Sequence, residues 1–155
     1  VVSASKAWNL AAHKAALIVA GAEARKDLTG LAYGPTRGAS SHGAVIAHTA
    51  ALQYGQPWLD RLLTEIEANQ HLLVRLLAEH LPQVRYQPGT ATYLAWLDCR
   101  ALGLESPSRH FLQQARVALN DGATFGPAYA GFARINLATS PEIITEAISR
   151  IAAAR

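Results

Sequence analysis

Between residues 57 and 81 apolar side chains recur every three or four positions: Leu59, Leu62, Leu63, Ile66, Leu73, Leu76, Leu77 and Leu81. Glu65, Glu67, Arg75 and Glu79 lie among them as a solvated face, and the spacing predicts the chain's longest helix, begun by Pro57 and stopped by Pro82. A shorter helix is predicted through Ala44, Val45, Ile46, Ala50, Ala51 and Leu52, capped by Ser40 or Ser41 and ending near Gly55. Its alanines imply close packing. Residues 15–20 form a short apolar run with β-branched residues at its centre and read as a buried strand, which needs a sheet to join; without one it is expected to pair with another copy or to be disordered. Residues 29–43, rich in Gly, Ser and Pro, read as a loop.

Beyond Pro82 the period changes. Residues 84–87 and 91–97 read as two strands around the turn at Pro88-Gly89. Ser106-Pro107 opens a helix through Phe111, Leu112, Ala115 and Leu119, which Asp121-Gly122 ends. Short strands at 123–125 and 132–138 follow, and Ser140-Pro141-Glu142 starts a final helix through Ile144, Ala147, Ile148 and Ile151. From about Trp58 onward the order is therefore helix, strand, strand, helix, strand, strand, helix. That is an α+β sandwich, with a helix layer on a small sheet. Tyr93 and Trp96 fall on opposite faces of one strand and read as core and helix-packing residues.

The chain's 155 residues, half of them apolar, suffice for one sizeable core. The formal charge of +3 is spread over scattered Lys and Arg residues, which gives no nucleic-acid surface. The single cysteine, Cys99, has no internal disulfide partner, so a reduced thiol and the cytoplasm are expected. No run reaches the roughly 18 apolar residues of a membrane helix. His42, His48, His71, His80 and His110 show no metal-ligand spacing.

Candidate chemistry lies at the start of the chain, in Ser3-Ala4-Ser5-Lys6-Ala7-Trp8-Asn9-Leu10. A lysine between small hydroxyl and alanine neighbours can sit on a tight connection where its amine reaches a carbonyl. Three further stretches accompany it: residues 44–63, with Tyr54-Gly55-Gln56-Pro57-Trp58-Leu59-Asp60 at their centre; residues 88–100; and residues 119–126 followed by Gly131-Phe132-Ala133-Arg134-Ile135-Asn136-Leu137. Together they resemble the cystathionine β-lyase-like, carbon-sulfur lyase branch of the class I/II aminotransferases, which are fold-type I pyridoxal-phosphate enzymes. Such enzymes run to several hundred residues, and the resemblance identifies this chain as their C-terminal portion. It implies that residues 1–56 are the end of the large cofactor-binding domain and 57–155 the small C-terminal domain.

The resemblance also assigns roles. Lys6 would form the Schiff base with pyridoxal 5'-phosphate and move the substrate α-proton. Lys14, eight residues on, and Ser3, three residues before, would contact the cofactor phosphate. Arg134 would bind the carboxylate of an amino-acid substrate: the alternation in its strand sets Ile135 and Leu137 on one face and the guanidinium on the other. A homodimer is implied, with Ser40 or Ser41, in the loop at 38–43, reaching the partner's phosphate site. The preceding portion of the same protein would supply the aspartate on the pyridine nitrogen, so this chain alone is expected to be inactive. Relatives commonly carry glycine where Ala12 stands and an aliphatic residue where His13 stands, and Ala128-Tyr129-Ala130 replaces a Gly/Glu-rich stretch. His13 reads as a tolerated substitution rather than a proton-transfer residue. A sulfur amino acid cleaved to pyruvate, ammonia and a thiol is the expected reaction; a plain aminotransferase and a ligand-sensing domain of a transcription regulator are the alternatives.

Overall fold

The strong helical apolar periods at 56–80 and 141–153 both become helices. In the computed structural model, which describes residues 1–31 and 40–154, the helices are α1 (Arg25–Leu31), α2 (His42–Tyr54), α3 (Gln56–His80), α4 (Pro107–His110) and α5 (Pro141–Ala153). Three strands, β1 (Leu94–Asp98), β2 (Asn120–Asp121) and β3 (Phe132–Asn136), form an antiparallel sheet in the order β1-β3-β2. The chain divides into two compact units, Val1–Leu63 and Thr64–Arg155.

In the first unit Ser41 caps α2: its Oγ accepts from the Ala44 N–H at 3.2 Å. Gly55 closes the other end, its N–H donating to Ala51 O at 2.9 Å. Ala44, His48 and Ala51 are buried along α2, whereas Val45, Ile46, Leu52 and Tyr54 are exposed. Of the loop expected at 29–43, residues 29–31 belong to α1 and residues 42–43 to α2. Positions 32–39 of the loop, Gly38 included, lie outside the described residues. The buried strand expected at 15–20 is not formed. Among the described residues one antiparallel bridge, Val2 with Leu17, is made, and Leu17, Ile18 and Val19 are 55%, 53% and 71% exposed. A run of apolar residues becomes a strand only when a ladder is there to take its N–H and C=O groups, and one bridge is not a ladder.

The second unit encloses a continuous core. Leu73, Leu76 and Leu77 of α3, Ala95 and Leu97 of β1, Ala133 and Ile135 of β3, and Ile144, Ile148 and Ile151 of α5 pack in one cluster. Two-residue periodicity places Ala133 and Ile135 inward and Arg134 on the opposite face of the sheet. Asn69, buried on α3, donates through Nδ2 to Leu137 O and Thr139 O, both at 2.9 Å, and so satisfies the chain as it leaves β3. Cys99 is fully buried, and burial, reinforced by the nearby Asp98 charge, pushes its thiol up to about 12.

Three elements differ from the pattern. Residues 84–87 contribute one bridge, Arg85 to Asp98, in place of a strand. The helix opened by Ser106-Pro107 passes from α4 into a π-helical turn, Phe111–Ala115, and stops there because Arg116 is left-handed (φ 58°) and the Val117 N–H reaches back to Phe111 O at 3.1 Å. Residues 123–125 form part of a 3₁₀ turn, Gly122–Phe125, in which the Asp121 carboxylate accepts from the Ala123 N–H at 3.0 Å. A side chain that bonds its own backbone two residues on favours a turn over a strand.

Candidate functional site

Two groups of residues carry the candidate chemistry, one in each unit. In the first, residues 2–17 fold back on themselves with Lys6 near the tip. The arms are joined by paired backbone bonds between Val2 and Leu17 (2.8 and 2.7 Å) and by Ser3 Oγ donating to Ala15 O at 2.8 Å. The tip tightens through Trp8 N–H to Ala4 O at 3.1 Å, with Asn9 left-handed at φ 54°. Ala4 is fully buried, and Lys6 is exposed. Among the described residues no hydrogen bond or ion pair ties down the Lys6 or the Lys14 ammonium.

The turn is anchored to α2 at two levels. The indole Nε1–H of Trp8 donates to Gly55 O at 2.9 Å. A Cβ on residue 55 would overlap Trp8 Nε1 and Ala51 O, so this approach requires glycine. At the base, buried His48 accepts from the Ala4 N–H through Nδ1 at 3.4 Å, and its Nε2 lies 2.7 Å from His13 O. Neither the role of His48 nor that of Trp8 was visible in the sequence. The first shows no metal-ligand spacing there, and the second reads as part of a motif whose contacts lie more than 40 positions away.

Of the residues singled out in sequence, Ser3 and Lys6 share this turn and Lys14 stands on its returning arm beside Ala15, the acceptor of Ser3. The one hydroxyl proton of Ser3 is engaged there, so a bond from Ser3 to a phosphate would replace the bond to Ala15 O. Ser41 holds the N-cap of α2 as an acceptor, which leaves its proton available for donation; Ser40, next to it, is exposed. His13 is exposed and contributes its carbonyl rather than its ring.

The second group surrounds Arg134, at the centre of the sheet between Trp96 of β1 and Asn120 of β2. Its guanidinium lies 4.7 Å over the Phe125 ring and donates from Nη2 to Asn120 Oδ1 at 3.1 Å. The Nε of Arg134 is buried and has no hydrogen-bond partner among the described residues. An unmet donor of this kind costs about 1–3 kcal/mol until something accepts from it. Trp96 meets Phe125 and Tyr129 edge-on (5.4 and 5.6 Å between centroids) and stacks on Phe132 at 5.8 Å. It therefore belongs to an aromatic cluster on the face of the sheet away from the core, where the sequence suggested helix packing. Buried Gly122 admits the Tyr129 and Phe132 carbonyls to van der Waals range, which a Cβ would prevent. At the sheet edge Arg100 binds Asp98 through Nε (2.8 Å) and Nη2 (2.7 Å) and holds its carboxyl down at about 2.

Among the described residues no helix is long and apolar enough to cross a membrane. The profile of the family "Aminotransferase class I and II" matches residues 1–151. A Mycobacterium tuberculosis protein provisionally named cystathionine beta-lyase is 48% identical over 97% of this chain and 41% of its own length. The cystathionine beta-lyase of Corynebacterium glutamicum is 34% identical over 98% of this chain and 41% of its own length. Among solved structures, a provisionally assigned PLP-dependent beta-cystathionase of Corynebacterium diphtheriae superposes with a TM-score of 0.87 at 36% identity, covering 98% of this chain and 41% of that one. The chain thus spans about two fifths of the length of these relatives. With the lysine turn, the arginine strand and the α+β unit all inside the matched range, it belongs to the class I and II aminotransferase family, in its fold-type I, cystathionine beta-lyase-like branch.

Proposed function

We propose that the protein containing this chain is a pyridoxal-phosphate-dependent carbon-sulfur lyase that cleaves a sulfur amino acid to pyruvate, ammonia and a thiol. What favours a lyase over an aminotransferase is similarity: relatives named cystathionine beta-lyase reach 38% and 34% identity, against 26% for an aspartate aminotransferase. The donor set fits the cofactor. An exposed, unengaged amine at Lys6 suits an aldehyde, and the Lys14 ammonium with the nearby serine hydroxyls suits a phosphate. When bound, pyridoxal phosphate draws electron density from the substrate's α-carbon.

The chain's own residues supply the rest. Lys6 would hold the cofactor through its amine and would take the proton from the substrate's α-carbon. Lys14 and Ser3 hold the phosphate, Ser3 by giving up its bond to Ala15 O, and Ser40 or Ser41 reaches the phosphate of a second subunit. Arg134 receives the substrate carboxylate: its fork is already oriented by Asn120 and Phe125, and its orphaned Nε gains an acceptor. Residues 1–56 act as the end of the cofactor domain and 57–155 as the small domain.

Pyruvate release from cystathionine by the complete protein, with pyridoxal phosphate added, is the test. Pyruvate should form, fall by at least about a hundredfold in Lys6→Ala, and be absent from the chain alone. Amino transfer to a keto acid without pyruvate would replace the lyase with an aminotransferase. Cystathionine that binds without turnover would point to a ligand-sensing module.

A further inference from the structure

The Lys6 turn is gripped from two sides. Two residues after Lys6, Trp8 is fixed to Gly55 O; two residues before it, the Ala4 N–H is fixed to His48. The same imidazole also reaches the returning arm at His13 O, 2.7 Å away. His48 is thus bonded to both arms of the turn from one position on α2.

The chemistry of the partners dictates the state of the ring. A carbonyl only accepts, so Nε2 carries the proton given to His13 O. An amide N–H only donates, so Nδ1 is bare and accepts from Ala4. A neutral imidazole in this tautomer satisfies both, and His48, 6% exposed, has no room to trade either bond for water. Leucine of similar bulk would fill the space and make neither bond. Asparagine can present an acceptor near Nδ1, and glutamine a donor near Nε2.

We propose that His48 is a positioning residue for the reaction, a two-handed clamp on α2 that fixes both arms of the turn and with them the place from which Lys6 works. This rests on the lyase reading for Lys6, but its structural half does not. Hydrogen exchange of the complete protein without cofactor reads that half directly. In His48→Leu the amide of Ala4 and the segment 10–17 should exchange roughly tenfold faster, while α2 and the second unit exchange as before. His48→Asn should recover protection at Ala4 only, and His48→Gln on the returning arm only. Unchanged exchange in His48→Leu, or loss spread evenly through α2, would overturn the clamp and leave a mere packing residue.

The catalytic half is read with cofactor bound. kcat should fall about tenfold in His48→Leu with KM within twofold, and recover in part in His48→Asn and His48→Gln. A loosened turn with unchanged kcat would overturn the positioning role while leaving the lyase reading intact. An unmodified protein that makes no pyruvate sinks the lyase reading, and the exchange pattern then decides the clamp alone.

Discussion

The two units solve the problem of holding a shape by different means. In Thr64–Arg155, large side chains from α3, β1, β3 and α5 converge: Leu73, Leu97, Ile144 and Ile148 are each no more than 2% exposed. Among the described residues of Val1–Leu63 the buried apolar side chains are alanines, Ala4, Ala44 and Ala51, and the larger ones at Leu17, Ile18, Val19 and Ile46 are more than half exposed. What fixes residues 2–17 there is a set of hydrogen bonds from Ser3, Trp8 and His48. Apolar burial supplies stability without direction; hydrogen bonds supply direction with about 1 kcal/mol each. A turn that presents one amine, as proposed for Lys6, gains more from the second.

The contrast is sharpest under truncation of the core. Leu97→Ala, in β1, should cost about 2–5 kcal/mol, seen as a lowered urea midpoint for the second unit. A cost no larger than that of changes in the lysine turn would remove the distinction between the units. Gly55→Ala comes next. The new methyl would displace the Trp8 indole, so a loss of about 1–3 kcal/mol is expected, with a shift of Trp8 fluorescence that Trp96 and Trp58 variants do not reproduce. Loosening without such a shift would mean that Trp8 is not what α2 holds. The smallest effect should come from Asn120→Ala, which frees Arg134 without removing it. An approximately tenfold rise in KM with little change in kcat is expected, since one oriented bond is lost. An unchanged KM would show that Arg134 is oriented by Phe125 and its strand rather than by Asn120.

The same division governs how much the sequence revealed. α3 and α5 were legible because their apolar stripes are local, α2 because Ser41 and Gly55 mark its ends, and β3 because alternation over 132–138 separates Arg134 from Ala133 and Ile135. The end of the π-helical turn was not, because Arg116 adopts a left-handed conformation without the glycine that usually announces one. The strand expected at 15–20 failed for the opposite reason, an apolar run with no ladder beside it. Lys6 and Arg134 were singled out by motif, because each is the residue type that the proposed chemistry demands. His48, Trp8 and Asn69 were missed, because their partners are backbone atoms 35 to 70 positions away and any side chain with a suitable donor or acceptor could serve.

Cys99 has a practical use that follows from its surroundings. It is the only cysteine in the sequence, it is sealed in the second unit, and burial holds its thiol well above the ordinary range, so that little of it is the reactive thiolate near neutral pH. An alkylating reagent therefore finds it when the surrounding core opens, and the rate of labelling under native conditions becomes a clock for that opening, read by mass without any mutation or dye.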